Sequence, residues 1–265
     1  MHSPHSPATG RPGLSDFYAV NKGGGLFSEA TGQWLGAALA TAGHRLGLAP
    51  TALTLANLVV GLATSVTVVA LAGPVADGTV PAWPVGLLAL VGWQLAYGFD
   101  CADGQLARVA GRTSPAGART DLLSDVAGQI ALVTAVGSVA VAQRPGTPAW
   151  LVIAFAGTWM VNLVTSALQS GPAAASMVPS RSLPVRIAKL VRDPGAVLFL
   201  AGLILLLVPA GMPWFAAGFA VVNGGFLLAS IAFSARAGLA APGPVSGGAR
   251  GPGGGATGRP PAAGG

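Results

Sequence analysis

The sequence predicts an all-α integral membrane protein with six transmembrane helices preceded by an interfacial amphipathic helix. Three observations carry that expectation. Hydrophobic residues make up 52% of the 265-residue chain and charged residues only 8%, whereas a soluble domain is roughly 25% charged. The apolar mass is Ala, Val, Leu and Gly, with aromatics at 6% and 40 glycines. So many glycines weaken helices in water, while membrane helices use small residues for close approach. Finally, six stretches reach the about 20 mostly apolar residues that a spanning helix needs: 51–73, 83–109, 116–142, 149–170, 194–211 and 213–235.

Ahead of the first span, residues 26–48 set Trp34, Leu35, Leu39 and Leu46 among polar residues. That pattern suits a helix lying in the membrane interface, with a short cytosolic helix packed on the bundle as the alternative. The chain divides into a disordered segment 1–25, a membrane domain 26–236 and a disordered Gly/Pro/Ala-rich tail 237–265. The end segments carry too little apolar surface to fold. No apolar h-region follows Met1, so no cleavable signal peptide is expected. The single cysteine, Cys101, excludes an intramolecular disulfide and a Cys-based zinc site.

Charge orients the spans. Of the 14 lysines and arginines, all except Arg144 fall on the side shared by the N-terminus, the loops after spans two and four, and the C-terminus. The positive-inside rule then puts both termini in the cytoplasm. It also accounts for the formal charge of +6 without a nucleic-acid partner, leaving membrane lipids as the surroundings. The excess of arginine over lysine, with abundant Ala, Gly and Pro, points to a GC-rich bacterium and its cell membrane.

The chemistry is concentrated in one window. Of eight acidic residues, Asp100, Asp103, Asp121 and Asp125 lie within 26 positions of each other. Carboxylates in or near a bilayer are costly and usually functional. On helices, Asp100 and Asp103 share a face at i,i+3, and Asp121 and Asp125 share one at i,i+4. The breaker-rich stretch 111–115 makes the turn between them. At about 1.5 Å per residue, Asp103 and Asp121 lie roughly 15 and 12 Å from that turn, and Asp100 and Asp125 roughly 20 and 18 Å. The two pairs are therefore level across an antiparallel hairpin near the cytoplasmic boundary.

Four such carboxylates repel one another unless cations neutralise them. All-oxygen ligation by Asp favours Mg²⁺ or Mn²⁺ over zinc. Two divalent cations would balance four negative charges and suit the attacking and leaving oxygens of a phosphoryl-type displacement. One alternative is structural, with the acids paired to Arg108, Arg112 and Arg119. Another is a small cation transporter using the Asp cluster as its ion site, which favours a midplane site and internal repeats.

The pattern Asp100-x2-Asp103-Gly104-x2-Ala107-Arg108-x8-Gly117-x3-Asp121-x3-Asp125 resembles the signature of the CDP-alcohol phosphotransferase (CDP-alcohol phosphatidyltransferase) family at every fixed position. The resemblance extends over roughly residues 26–236. It implies transfer of a substituted phosphate from a CDP-linked alcohol, such as CDP-diacylglycerol, to an alcohol acceptor, with release of CMP, in phospholipid or related polar-lipid biosynthesis. By resemblance, Asp100, Asp103 and Asp121 are metal ligands, and Asp125 is the general base as well as a neighbour of the second metal. Gly104, Ala107 and Gly117 correspond to small residues that let cytidine approach, because a larger side chain there would block a planar base. Arg108 corresponds to a phosphate partner.

Thr54 and Asn57, at i,i+3 where the first span begins, resemble the family's polar start to this helix. They read equally as nucleotide contacts and as capping or interhelical hydrogen bonds. A homodimer is implied by the resemblance alone. In the loop after span four, Arg186, Lys189 and Arg192 share part of a helical face. They form a cradle for a phosphorylated acceptor or anionic headgroup, or else reflect topology bias and lipid attraction of about 1 kcal/mol per basic residue. Arg192-Asp193-Pro194 reads alternatively as a local ion pair at a helix-opening proline. Family members that make phosphatidylinositol phosphate carry a basic stretch at the end of span four. Here the sequence reads Val164-Thr-Ser-Ala-Leu-Gln-Ser170, which leaves the acceptor open.

Overall fold

Long apolar runs bounded by proline and glycine must satisfy their own backbone hydrogen bonds, and in lipid a helix does so within one segment. The computed structural model describes residues 11–23, 25–168 and 193–240. Among them every regular element is helical: α1 (Leu14–Ala19), α2 (Leu26–Ala30), α3 (Gly32–Arg45), α4 (Pro50–Ala76), α5 (Ala82–Val109), α6 (Pro115–Gln143), α7 (Ala149–Leu168), α8 (Pro194–Leu207) and α9 (Met212–Ala240). Proline opens α4, α6 and α8 in the first turn, where its missing amide leaves no intrahelical bond unmade.

Among the described residues, four stretches are long and apolar enough to cross a membrane: Pro50–Ala76, Ala82–Val109, Pro115–Gln143 and Pro209–Ala232. The chain is thus a multi-pass membrane protein. Of the other two expected spans, α7 runs 20 residues, Ala149–Leu168, and Pro194–Leu207 is a shorter apolar helix. At ~1.5 Å per residue α8 rises about 21 Å, less than the ~30 Å hydrocarbon core. It stops there because Val208 leaves the helical region and a 3-10 turn, Pro209–Gly211, follows.

The expected amphipathic helix over 26–48 is two helices, α2 and α3, separated at Thr31. α3 docks on α5 by a stripe of mainly small residues, Gly32, Gly36, Ala37, Ala40, Thr41 and Gly43, together with Gln33. A Cβ on Gly36 would lie 2.6 Å from the Cys101 Cβ, so the cysteine is a buried packing residue. Trp34, Leu46 and Leu48 remain exposed. The segment 1–25, expected to be disordered, contains α1. Its Gly13 amide donates to Asp16 Oδ2 at 2.8 Å, and Phe17 is fully buried. α9 likewise runs to Ala240, past the expected start of the tail at 237.

The bundle is organised around α4, which packs on both α5 and α6, whereas α5 and α6 have no comparable contact with each other. Trp93 Nε1 donates to Ser65 Oγ at 3.1 Å, joining α5 to α4 inside the core. On its other side α5 packs on α8, where Gly86 faces the Leu206 backbone and Gly202 the Leu90 backbone. Phe155, Trp159, Phe215 and Phe219 join α7 to α9 by aromatic contacts. Leu55, Val59 and Val66 on α4 and Leu122, Leu123 and Ile130 on α6 point outward, an arrangement suited to lipid contact.

The α5–α8 contact is testable. Gly86→Ala adds a methyl that meets the Leu206 backbone, and overpacking of this kind costs about 1–3 kcal/mol. Its thermal unfolding midpoint in detergent should fall by several degrees. Gly157→Ala, whose Cβ would meet nothing within 4 Å, should not lower it. Equal midpoints would contradict so close an approach.

Candidate active site

The heights of the acidic residues are set by two helix caps. Gly111, at φ 63°, ends α5: its amide bonds to the Arg108 carbonyl and the Arg112 amide to the Ala107 carbonyl, a glycine-terminated helix end. Ser114 then starts α6, its Oγ accepting from the Gly117 amide at 3.0 Å, with Pro115 in the first helical position. The reversal leaves Asp100 and Asp103 on α5 facing Asp121 and Asp125 on α6, with α4 alongside both.

Asp100, Asp121 and Asp125 each offer a carboxylate oxygen, and these oxygens all lie within 4.8 Å of one another. Asp103 stands outside this closest group. It is buried and accepts a hydrogen bond from Thr54 Oγ1 at 2.5 Å. Asp121 Oδ1 is buried with no hydrogen-bond partner. A buried anionic oxygen left without a partner is costly. The orphan oxygen and a donor set made only of carboxylates therefore fit a hard divalent cation.

Two cavities meet at these carboxylates. The smaller, about 190 Å³, opens between the start of α4, the end of α5 and the start of α6. Asp103 and Asp121 line it with Thr54, Gly104, Ala107, Gly117, Lys22, Arg108 and Arg112. The larger, about 270 Å³, is lined by Asp100 and Asp125 together with Asn57, Tyr97, Ser124 and Gln129 at its polar end. Its apolar wall includes Trp93, Leu132, Trp159 and Phe219. The four carboxylates thus divide a cation-bordered cavity from one with an aromatic wall.

The structure gathers Thr54, Gly104, Ala107, Arg108 and Gly117 around the smaller cavity, while Asn57, grouped with them from sequence, lines the larger one. Arg108 Nε donates to the Val20 carbonyl at 2.8 Å, and its guanidinium lies over Gly104, where a Cβ would sit 3.0 Å from Nη1. A Cβ on Gly117 would lie 3.1 Å from Ser114 Oγ. Both glycines therefore serve local packing as well as bordering the cavity. Arg186, Lys189 and Arg192 lie outside the described residues. Asp193, which sequence offers as an alternative local partner for Arg192, caps α8 through the Ala196 amide at 3.3 Å. It also accepts from the Phe27 and Ser28 amides at 2.9 and 3.0 Å and from the Ser28 hydroxyl, fastening α2 to α8.

Sequence reasoning missed two participants, the segment 20–23 and Gln105. Gln105 is fully buried, and its Nε2 donates to Gln33 Oε1 at 2.8 Å. Gln33 Nε2 in turn donates to the Gly23 carbonyl at 2.8 Å. A signal existed in Leu14, Phe17 and Tyr18, whose i,i+3,i+4 spacing marks an apolar helix face within a stretch set aside for its composition.

A family model described as CDP-alcohol phosphatidyltransferase matches residues 47–233, a span that holds all four aspartates. Comparison with curated proteins and with solved structures returns no match.

Thr54→Val removes the hydroxyl donor from buried Asp103, at a cost of about 1–3 kcal/mol. In metal-free buffer its unfolding midpoint should fall below that of the unaltered protein, and Thr54→Ser should restore it. A Thr54→Val protein as stable as the original would show that this hydrogen bond does not hold Asp103.

Proposed function

Because the chain belongs to the CDP-alcohol phosphatidyltransferase family, we propose that it moves a substituted phosphate from a CDP-linked alcohol to an acceptor alcohol, releasing CMP. CDP-diacylglycerol is the type of donor, and phospholipid or related polar-lipid synthesis the setting. The observation that supports this reading best is the set of carboxylates at the divide between two cavities, which suits a reaction that brings two substrates together.

Each residue then has a task. Thr54, Gly104, Ala107, Arg108 and Gly117 border the cavity assigned to the nucleotide end of the donor, with Asn57 reaching the reaction centre from the larger cavity. Asp125, in the larger cavity, takes the proton of the acceptor hydroxyl as general base. The acceptor oxygen bonds to the phosphorus that carries the donor alcohol. The bond from that phosphorus to the bridging oxygen breaks, and CMP leaves with that oxygen. Two divalent cations, Mg²⁺ or Mn²⁺, held by Asp100, Asp103, Asp121 and Asp125, would stabilise the charge developing on the phosphate oxygens.

The proposal includes six crossings with both termini in the cytoplasm. The charge asymmetry around Arg144 supports it, as does the 20-residue length of α7. A bacterial cell membrane, a homodimer, and Arg186, Lys189 and Arg192 as acceptor contacts belong to the same proposal. For topology, Arg144→Cys should be labelled by a membrane-impermeant maleimide in intact cells, and Arg112→Cys only after permeabilisation. The reverse pattern would invert the orientation.

For chemistry, the purified protein should release CMP from a CDP-linked donor when given Mg²⁺ or Mn²⁺ and one of a panel of alcohols. EDTA should abolish the release. Asp125→Asn should reduce turnover by at least about a hundredfold while leaving the unfolding midpoint near the original. Undiminished turnover in Asp125→Asn would remove the role given to that residue. Metal flux in proteoliposomes without CMP release would favour cation transport instead.

A further inference from the structure

The segment 20–23, which follows α1, is built to hold one particular side chain beside the smaller cavity. α1 is anchored by Phe17, which packs in a buried cluster with Ala37, Ala40, Leu53, Ala102 and Leu106. Tyr18 stacks on Trp34 with ring centroids 4.1 Å apart. Beyond α1, Asn21 folds the chain back on itself: its Nδ2 donates to the Tyr18 carbonyl at 2.6 Å and its Oδ1 accepts from the Gly23 amide at 2.8 Å. Gly23 completes this strap with a φ of 77°, a conformation that favours glycine.

The strap is tied to the motif helix on both sides of Lys22. Arg108 Nε holds the Val20 carbonyl, and Gln105 reaches the Gly23 carbonyl through Gln33. Lys22 thereby borders the smaller cavity with Asp103, Arg108, Arg112 and Asp121. Arg108 is fixed in place by its bond to Val20. Lys22 carries its charge on a flexible four-carbon stem with three donors, so its ammonium can follow a phosphate into the cavity.

We propose that Lys22 is a donor-binding residue, placed by the N-terminal strap to contact the cytidine-side phosphate of the CDP-linked substrate, the one that CMP retains. The inference rests on the transferase reading and deepens it. It also gives Gln33, Gln105 and Arg108 a positioning role, because they hold the strap that carries the lysine.

The test uses the full chain in nanodiscs with Mn²⁺ present and CMP as the titrated ligand. Lys22→Met should weaken CMP binding about tenfold or more, the scale of a lost charge-assisted contact, and raise the donor KM in step. Acceptor KM and the unfolding midpoint should stay unchanged, and Lys22→Arg should bind CMP within about threefold of the original. CMP affinity in Lys22→Met equal to the original would overturn the proposal. So would a loss of CMP affinity matched by a fall in the unfolding midpoint that Lys22→Arg fails to rescue, which would make the lysine structural. CMP binding is read without turnover, so a protein that binds CMP yet releases none from any donor fails the transferase reading alone.

Discussion

Like charges brought together in a protein repel strongly, and this molecule brings carboxylate oxygens within 4.8 Å of one another near the end of a membrane helix bundle. At an effective dielectric of about 20, two unit charges ~5 Å apart repel by roughly 3 kcal/mol. The surrounding architecture answers that repulsion. α4 packs on both acid-bearing helices, so the acids line cavities instead of being pressed together in a dry interface. Thr54 satisfies Asp103 from α4, and the caps at Gly111 and Ser114 prevent the acids from sliding past one another. What remains unmet, Asp121 Oδ1, is the opening for a cation.

Helix geometry also divides the acids between tasks. Positions three or four apart on a helix are neighbours, yet lie about one turn apart along its axis. That offset puts Asp103 and Asp121 toward the reversal at Gly111 and in the smaller cavity, and Asp100 and Asp125 one turn farther into the larger. One continuous cluster therefore serves two chambers without any irregularity in either helix.

Much of this was legible in sequence, and the exceptions share a physical cause. The apolar runs, the proline starts and the acid spacing are local signals, and each survives in the structure. Which helices touch is not a local signal. The hairpin loop does not say which helix lies beside it: α4 carries small and polar residues, Gly61, Thr64 and Ser65, where α5 approaches, and takes the central place. Asn57 follows the same logic: its spacing from Thr54 gave a shared face, but a face broad enough to border both cavities. The segment 14–23 was set aside on composition, because its few apolar residues cannot fold alone. They fold against surfaces that α3 and α5 provide, which composition does not register.

The distribution of charge and apolar surface then sets the two cavities apart. Lys22, Arg108 and Arg112 gather at the smaller cavity, a setting that favours an anionic group. Trp93, Leu132, Trp159 and Phe219 gather at the larger cavity, where they favour an apolar portion of a substrate over a phosphate. Arg108 links this division to folding: a motif residue expected to meet a phosphate also holds the Val20 carbonyl. Removing it would therefore disturb the strap and the cavity together, so its loss alone cannot reveal which cation meets the phosphate. Lys22 has no such second duty among the hydrogen bonds of the described residues, and substitution there separates charge at the cavity from the fold that delivers it.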